Sequence, residues 1–218
     1  MKKIIAIPLL IVVVFSFASC CLFYDYECNA TDNFDIGYSK LLNQAFLSDY
    51  NWDGTEKGMN IVIPEEYKKI PVTAFGGYFG RGVPCSFGIL LTDEAKELLS
   101  PNATGWYFTS NISTHENYEI KYLNFNVHIS SNISEMEGLW LDRYIVAKHK
   151  NDTSTSYEIY VPLCNVTCDE DNKTFYAKDG KLYFKGNDQL VTDIMYEDFD
   201  VGKDIESKKD KIVSCHPF

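Results

Sequence analysis

The sequence is short of positive charge, and this shortage excludes two classes of partner. Its 218 residues contain 20 Lys and Arg against 31 Asp and Glu, for a formal net charge of -11 at pH 7. Such an acidic chain would repel a polyanion, so we expect no nucleic-acid partner. Docking on anionic lipid through a basic patch is excluded for the same reason.

The sequence also lacks an apolar run long enough to cross a membrane. Residues 4–17 form an uncharged stretch of 14 residues, whereas a membrane-spanning helix needs about 20. Lys2 and Lys3 precede this stretch, which is the order found in signal peptides. We therefore predict that residues 1–19 are a signal peptide and that the rest of the chain is exported.

The residues that end this segment predict a lipid anchor. Phe17-Ala18-Ser19-Cys20 resembles the lipobox of bacterial lipoproteins, in which the Cys becomes the new, lipidated N-terminus. We expect Cys20 to hold the protein at the extracellular face of the cell membrane. Plain secretion with an ordinary signal peptide stays open as the alternative.

Several motifs of catalysis and metal binding are missing. The chain has no Gly-x-Ser-x-Gly, and His115-Glu116 lacks the second His of a zinc-protease helix. The acidic run from Asp169 does not fit an EF-hand loop, because Lys173 and Thr174 stand where an oxygen ligand and Gly are needed. We predict no catalytic residue, no cofactor and no metal, and hence no enzyme.

Cysteine is present in numbers that allow disulfides. If Cys20 carries lipid, six cysteines remain, and an exported compartment permits bridges among them: Cys21, Cys28, Cys85, Cys164, Cys168 and Cys215. Six cysteines allow 15 pairings, and the sequence does not choose among them. Cys164 and Cys168 could pair only if residues 165–167 form a turn.

The chain contains seven Asn-x-Ser/Thr sequons, which is more than chance predicts. They begin at Asn29, Asn102, Asn111, Asn132, Asn151, Asn165 and Asn172. The excess allows an alternative interpretation, a secreted disulfide-linked glycoprotein that captures a soluble partner. It is equally typical of an exported surface that is rich in Asn, Ser and Thr.

Hydrophobic patterning predicts a mainly β fold with minor α. Alternating apolar residues indicate strands at 59–63, 71–75, 118–129, 143–147 and 157–161, and a hairpin at Asp179-Gly180. A phase slip predicts a bulge near Tyr122. Helices are expected at 39–47 and 92–99, a tether at 20–36, a solvated loop or frayed helix at 197–211 and a last strand at 212–215. Residues 37–218 are expected to form a single β-rich domain of short strands.

A glycine-rich segment is the candidate ligand loop. It comprises Gly77, Tyr78, Phe79, Gly80, Arg81 and Gly82. Glycine allows a partner to approach the backbone, Tyr78 and Phe79 offer aromatic faces, and Arg81 could contact a carboxylate or a sugar. Tight-turn geometry alone would also explain these glycines.

Two segments resemble the repeats of BspA-like bacterial leucine-rich-repeat surface proteins. Residues 60–75, Asn-Ile-Val-Ile-Pro-Glu-Glu-Tyr running on through Ile-Pro-Val-Thr-Ala-Phe, resemble one repeat phrase, and residues 168–183 resemble a second that ends in Asp-Gly-Lys-Leu-Tyr. The resemblance implies β-solenoid-like pieces and a role in binding or adhesion. We therefore expect a non-catalytic surface protein whose ligand is an unknown protein or glycan, with an unrecognised extracellular enzyme as a further alternative.

Overall fold

The computed structural model describes residues 24–79, 83–113, 115–136, 138–151 and 154–213, with the backbone alone at 77–79, 83–85 and 209–213. Fifteen strands lie in these ranges: β1 (Asp25–Thr31), β2 (Phe34–Ser39), β3 (Gln44–Trp52), β4 (Asn60–Val62), β5 (Glu66–Tyr67), β6 (Ile70–Phe75), β7 (Gly77–Phe79), β8 (Val83–Cys85), β9 (Gly88–Leu91), β10 (Gly105–Thr109), β11 (Tyr118–Ile129), β12 (Tyr144–Lys150), β13 (Thr155–Cys168), β14 (Phe175–Lys178) and β15 (Lys181–Phe184). The helices are α1 (Asp93–Leu99) and α2 (Val201–Val213), and a 3-10 turn spans Lys57–Met59.

The fold is mainly β, as predicted, with 52% strand and 10% helix. Neither helix among the described residues has the length and apolar character needed to span a bilayer. The predicted signal peptide (1–19) and the lipidation site Cys20 lie outside the described residues.

The chain divides into two compact units, whereas the sequence predicts one domain from residue 37. Within the described residues, unit 1 contains the ranges 24–51, 64–88 and 132–139, and unit 2 contains the ranges 52–63, 89–131 and 140–213. The segments of the two units alternate along the chain. No single point along the chain therefore separates the two units.

Unit 1 is built on a sheet with the strand order β1-β2-β3-β6-β5. Phe34 and Ile36 on β2 are fully buried, and Phe87 lies 4.7 Å from the ring centre of Phe75 in the same core. The expected tether at 20–36 is therefore wrong over β1 and β2. All six residues of β2 are buried in the unit, and β1, whose residues are exposed or half-buried, pairs antiparallel with the edge of β2.

The helix predicted at 39–47 is also wrong. Residues 40–43 form a turn with Asn43 at φ 51°, and β3 begins at Gln44. Ala45, Phe46 and Leu47 are consecutive and all buried, so both faces of β3 are covered, while β2 and β6 pair with its edges. Burial on both faces removes the alternation that marks a strand, and the remaining apolar spacing imitates a helix.

Unit 2 is built on a sheet with the strand order β10-β12-β13-β11-β4. The long strands β11 and β13 pair in parallel over twelve consecutive positions, from Tyr118↔Tyr157 to Ile129↔Cys168, and β4 pairs in parallel with β11. On one face of the sheet, Tyr144, Ile159 and Val161 pack in one cluster with Val201 of α2. The helix α2 therefore covers that face.

The phase slip within β11 reflects a change of buried face. Ile120 packs against the α2 side of the sheet, whereas Leu123, Phe125, Val127 and Ile129 are buried on the opposite face. The register with β13 stays continuous through Tyr122, so the predicted bulge is wrong. Two cores on opposite faces of one strand produce the same sequence signal as a bulge.

Local signals of chain reversal and capping are confirmed. Thr92 caps α1, because its Oγ1 accepts a hydrogen bond from the Ala95 N–H at 3.2 Å. Asp179 and Gly180 have positive φ angles of 52° and 74° between β14 and β15, as a two-residue hairpin turn requires. The last strand predicted at 212–215 is wrong at Ile212 and Val213, which end α2.

The two segments that resemble leucine-rich repeats contribute strands to the sheets of both units. In unit 2, β4 from the first segment and β13, which runs into the second, flank β11 in parallel. In unit 1, β6 pairs in parallel with β3. The pairings do not show a leucine-rich-repeat solenoid.

Candidate functional site

The candidate site is a groove of about 410 Å3 in unit 2. Its lining comes from residues 190–199, from Lys181 at the start of β15, from Asp142 just before β12, and from Asp204 and Lys208 on α2. Isolated bridges place Leu190 beside Tyr183, Ile194 beside Leu141 and Tyr196 beside Cys164, and a turn follows at 197–198. Residues 190–196 therefore form a bridged wall of the groove.

Apolar and aromatic side chains supply part of its surface. Ile194, Met195 and Tyr196 are almost fully buried, Phe199 is half-buried, and Leu190 remains 37% exposed at the margin. Apolar surface that borders solvent in a concave site favours association with a ligand.

One charged pair lies at the β15 end of the groove. Lys181 Nζ lies 2.5 Å from Asp198 Oδ2 and 6.0 Å from the ring centre of Tyr196. The hydrogen bond to Asp198 raises the pKa of Lys181, and the same bond lowers the pKa of Asp198. Both groups are therefore charged at neutral pH, and Asp198 is exposed to a ligand.

A second charged pair lies at the helix. Asp204 on α2 accepts a hydrogen bond from the buried Tyr144 hydroxyl at 2.6 Å and an ion pair from Lys208 at 2.7 Å. Lys208 also donates to the Ser110 carbonyl oxygen. Burial and the bond to Asp204 raise the pKa of Tyr144. These contacts fix α2 against the sheet.

Asp142, which lies next to Arg143 in the chain, completes the lining of the groove. Burial raises the pKa of Asp142, and its Oδ1 lies 3.4 Å from Arg143 Nε. Among the described residues neither of these two buried atoms has a hydrogen-bond partner. The Arg143 guanidinium lies 4.8 Å from the ring centre of Trp140, which is 49% exposed. One face of this exposed aromatic ring is therefore already occupied.

The sequence-predicted ligand loop is a β-hairpin. Strands β7 and β8 pair antiparallel from Gly77↔Cys85 to Phe79↔Val83, and Gly76 before them has φ 65°. Gly80, Arg81 and Gly82 lie outside the described residues, as do the side chains of Tyr78 and Phe79. A ligand role for this loop stays a prediction.

The described cysteines are free thiols. Cys28 is exposed, Cys168 is half-buried, and Cys164 is fully buried, which raises its pKa to about 12. Cys164 and Cys168 share the single strand β13, so the turn that their pairing requires is absent. Cys21, Cys215 and the side chain of Cys85 lie outside the described residues.

The sequons fall into three structural groups. Asn29, Asn102, Asn132 and Asn151 are exposed, and Asn111 and Asn165 are half-buried. Asn172 is fully buried: its Nδ2 donates to the Ser130 carbonyl, and its Oδ1 accepts from the N–H groups of Thr174 and Phe175. A glycan cannot occupy Asn172 in the folded chain.

Two side-chain arrangements were not predicted from the sequence. Asn60, Asn126 and Asn165 form a hydrogen-bonded ladder across β4, β11 and β13. On the same sheet, His128 lies 2.9 Å from Thr167 Oγ1 and 3.0 Å from Asp169 Oδ1. Parallel register brings these residues together, and nothing in their spacing along the chain shows it.

The groove was likewise missed by sequence reasoning. Its residues come from the tail that was expected to be solvated and from strands without an obvious motif. The charged pattern of α2 hides the fact that Val201 and Ile205 pack on the sheet. No protein-family model, curated protein or solved structure matches this chain.

Proposed function

We propose that the protein is an exported, lipid-anchored surface protein that binds a partner without catalysis. The segment from Lys2 to Cys20 supports export and anchoring. The amphipathic groove of unit 2 supports binding, and it is the observation that carries the proposal. The ligand that suits it best is an extended peptide segment of a partner protein.

Three properties of the groove favour a peptide. Its bridged wall at 190–196 offers length, Leu190 and Phe199 offer apolar contact, and the Lys181–Asp198 pair offers charges of both signs. A peptide presents apolar and charged side chains in alternation, which matches such a lining. A glycan needs an open aromatic face, whereas the aromatic residues that line the groove, Tyr196 and Phe199, are buried and half-buried.

Selection from a displayed random-peptide library on the immobilised mature chain tests the groove. We expect the selected peptide to lose about tenfold in affinity with Leu190→Ser and with Lys181→Ala, since each removes a contact worth roughly 1.4 kcal/mol. Lys203→Ala and Leu98→Ser are matched controls, because they remove an exposed lysine and an exposed leucine that do not line the groove. If the control variants lost as much affinity for the peptide, the groove would not be its binding site.

Metabolic labelling with palmitate tests the anchor. We expect label on Cys20 and accumulation of the precursor in the presence of globomycin. Exported protein that carries no label would instead support plain secretion.

The alternatives have less support. A disulfide-linked glycoprotein would use cysteines and sequons, whereas Cys164 and Cys168 are free in one strand and Asn172 is fully buried. An enzyme could use His128, Thr167 and Asp169, but these residues lie on an exposed sheet surface and do not line the groove.

We further propose that the fold contains leucine-rich-repeat-like pieces. The three parallel strands β4, β11 and β13 bury Ile61, Val127 and Val166 in one row, and an Asn ladder crosses their outer face. Stacked parallel strands with aligned side chains are the building principle of β-solenoids. A homologue with additional strands beyond β4 would support this relationship.

A further inference from the structure

The exposed turn between β2 and β3 in unit 1 carries two adjacent leucines with large exposed fractions. Leu41 is 72% exposed and Leu42 is 48% exposed. Ser39 Oγ accepts a hydrogen bond from the Leu42 N–H at 3.2 Å, which fixes the turn that presents them. Adjacent leucines at the tip of a hairpin form a protruding apolar feature, unlike single exposed leucines scattered over a surface.

The described chain begins beside this turn. The Tyr24 hydroxyl donates to Gln44 Oε1 at 3.2 Å, and the Tyr24 ring lies 5.5 Å from that of Phe46. Gln44 is the first residue of β3, directly after the turn. The segment that leads to Cys20 therefore enters the sheet at the end where the leucines lie.

Chain length limits how far the predicted anchor can be from the turn. Cys20 precedes Tyr24 by four residues, and a fully extended chain spans at most about 14 Å over four residues. A lipid on Cys20 would hold Tyr24 within this distance of the bilayer, and the turn leads directly into Gln44, which Tyr24 contacts. The turn is thus within reach of the membrane whenever the anchor is inserted.

The same end of the sheet carries both signs of charge. The strand pairings bring four parts of unit 1 together at this end of the sheet. These parts are the first residues of β1, the first residues of β3, the last residues of β2, and the turn between β5 and β6. Lys40, Lys68 and Lys69 are exposed there, and Lys68 is paired with Glu27. Asp25 and Glu66 add further negative charge. Attraction to anionic lipid is therefore nearly balanced, and apolar insertion of the leucines is the remaining source of affinity.

We propose that the Leu41–Leu42 turn inserts into the interfacial region of the lipid bilayer and fixes the orientation of unit 1 on the membrane. The inference rests on the proposed lipid anchor at Cys20, which brings the turn to the surface. A lipid chain and a second apolar contact together hold a protein at a membrane more firmly than one signal alone. Lys40 beside the leucines can keep its charge among the headgroups.

Tryptophan quenching tests the insertion directly. The full lipidated chain with Leu41→Trp or Leu42→Trp is placed in phosphatidylcholine vesicles with brominated acyl chains. We expect more quenching than in the unchanged chain, whose Trp52, Trp106 and Trp140 provide the background. Quenching no greater than this background would overturn the proposal.

A partition assay supplies the matched controls. In the mature chain from residue 20 with Cys20→Ala, the double change Leu41→Ser and Leu42→Ser should lower binding to phosphatidylcholine vesicles by about tenfold or more. Leu41→Ile with Leu42→Ile should preserve binding, and Leu98→Ser should leave it unchanged. Circular dichroism checks that each variant is folded.

Two other binding modes of the turn would give different results in these assays. Binding that needs phosphatidylglycerol and disappears in salt would show charge attraction and overturn insertion. Self-association that the serine variants abolish would identify a second copy of the chain as the occupant, again against the proposal. The mass of the N-terminal peptide separates the two claims: lipid on Cys20 without quenching contradicts insertion alone, and quenching without lipid contradicts the anchor alone.

Discussion

Asp35 and Asp49 lie opposite each other across β2 and β3, at a bulge where Ser48 is the extra residue. Asp35 accepts hydrogen bonds from the Asn29 N–H, the Asn51 amide and the Tyr26 hydroxyl. Burial raises the pKa of Asp49 to about 7, and the charge of Asp35 adds to this shift. Unit 1 therefore contains a carboxyl group that is protonated in weak acid when the chain is folded.

This raised pKa predicts a stability that falls as the pH rises. Asp49 has a higher pKa in the folded chain than in the unfolded chain, so the folded state binds more protons between about pH 4 and pH 7. Its contribution is fully present below pH 4 and is lost by pH 7. Allowing for its partial exposure, we expect a loss of about 2 kcal/mol in the free energy of unfolding, measured by urea titration at several pH values.

Asp49→Asn should remove that part of the pH dependence, because the amide stays neutral throughout. Asp32→Asn in the exposed β1–β2 turn is the control and should retain the behaviour of the unchanged protein. An unchanged pH slope in the Asp49 variant would show that the carboxyl group is not protonated in the folded chain.

Asn172 should stabilise the fold although it occupies a sequon. Asn172→Ala removes three hydrogen bonds and leaves buried backbone groups unpaired, which should cost about 3 kcal/mol in thermal or urea unfolding. Thr174→Val destroys the sequon but keeps the Asn172 side chain, so it should cost much less. Comparable losses in both variants would contradict this role of the amide.

Gly180 should not tolerate a side chain. A Cβ at this position would lie 2.6 Å from Asn165 Oδ1, and the φ of +74° is unfavourable for other residues. We expect Gly180→Ala to destabilise unit 2 by about 2 kcal/mol, measured by denaturant unfolding. Gly186→Ala meets no atom within 4 Å and should change stability by less than about 0.5 kcal/mol. Reversal of this order would show that the turn can relax.

The contacts of Asp204 should hold α2 on the sheet. Asp204→Ala removes the partner of both Tyr144 and Lys208, and we expect faster hydrogen exchange in α2 and a loss of about 2 kcal/mol. Glu206→Ala removes an exposed carboxylate on the same helix and should have a small effect. If the rate of hydrogen exchange in α2 did not change, apolar packing alone would account for the stability of this helix.

Local signals in the sequence predicted the fold where a few residues decide the structure. Thr92, Asp179 and Gly180 act through neighbouring backbone groups, so their roles are readable from the chain. The turn at 40–43 was missed because the helical spacing of its leucines competes with the burial of β3. Burial depends on strands distant in the sequence, which no local pattern reports.

The candidate groove was beyond sequence reasoning for a related reason. Lys181, Ile194 and Asp204 come from separate elements, and their proximity follows from the parallel register of the sheet and the docking of α2. By contrast, the Gly77–Gly82 loop attracted attention through its composition alone. Its ligand role remains a prediction.

Hydrogen exchange of the mature chain with and without the selected peptide tests the central claim most directly. We predict protection at residues 190–199 and along α2, where the groove lies. Protection confined to the β7–β8 hairpin would assign binding to the glycine-rich loop and contradict the groove as the binding site.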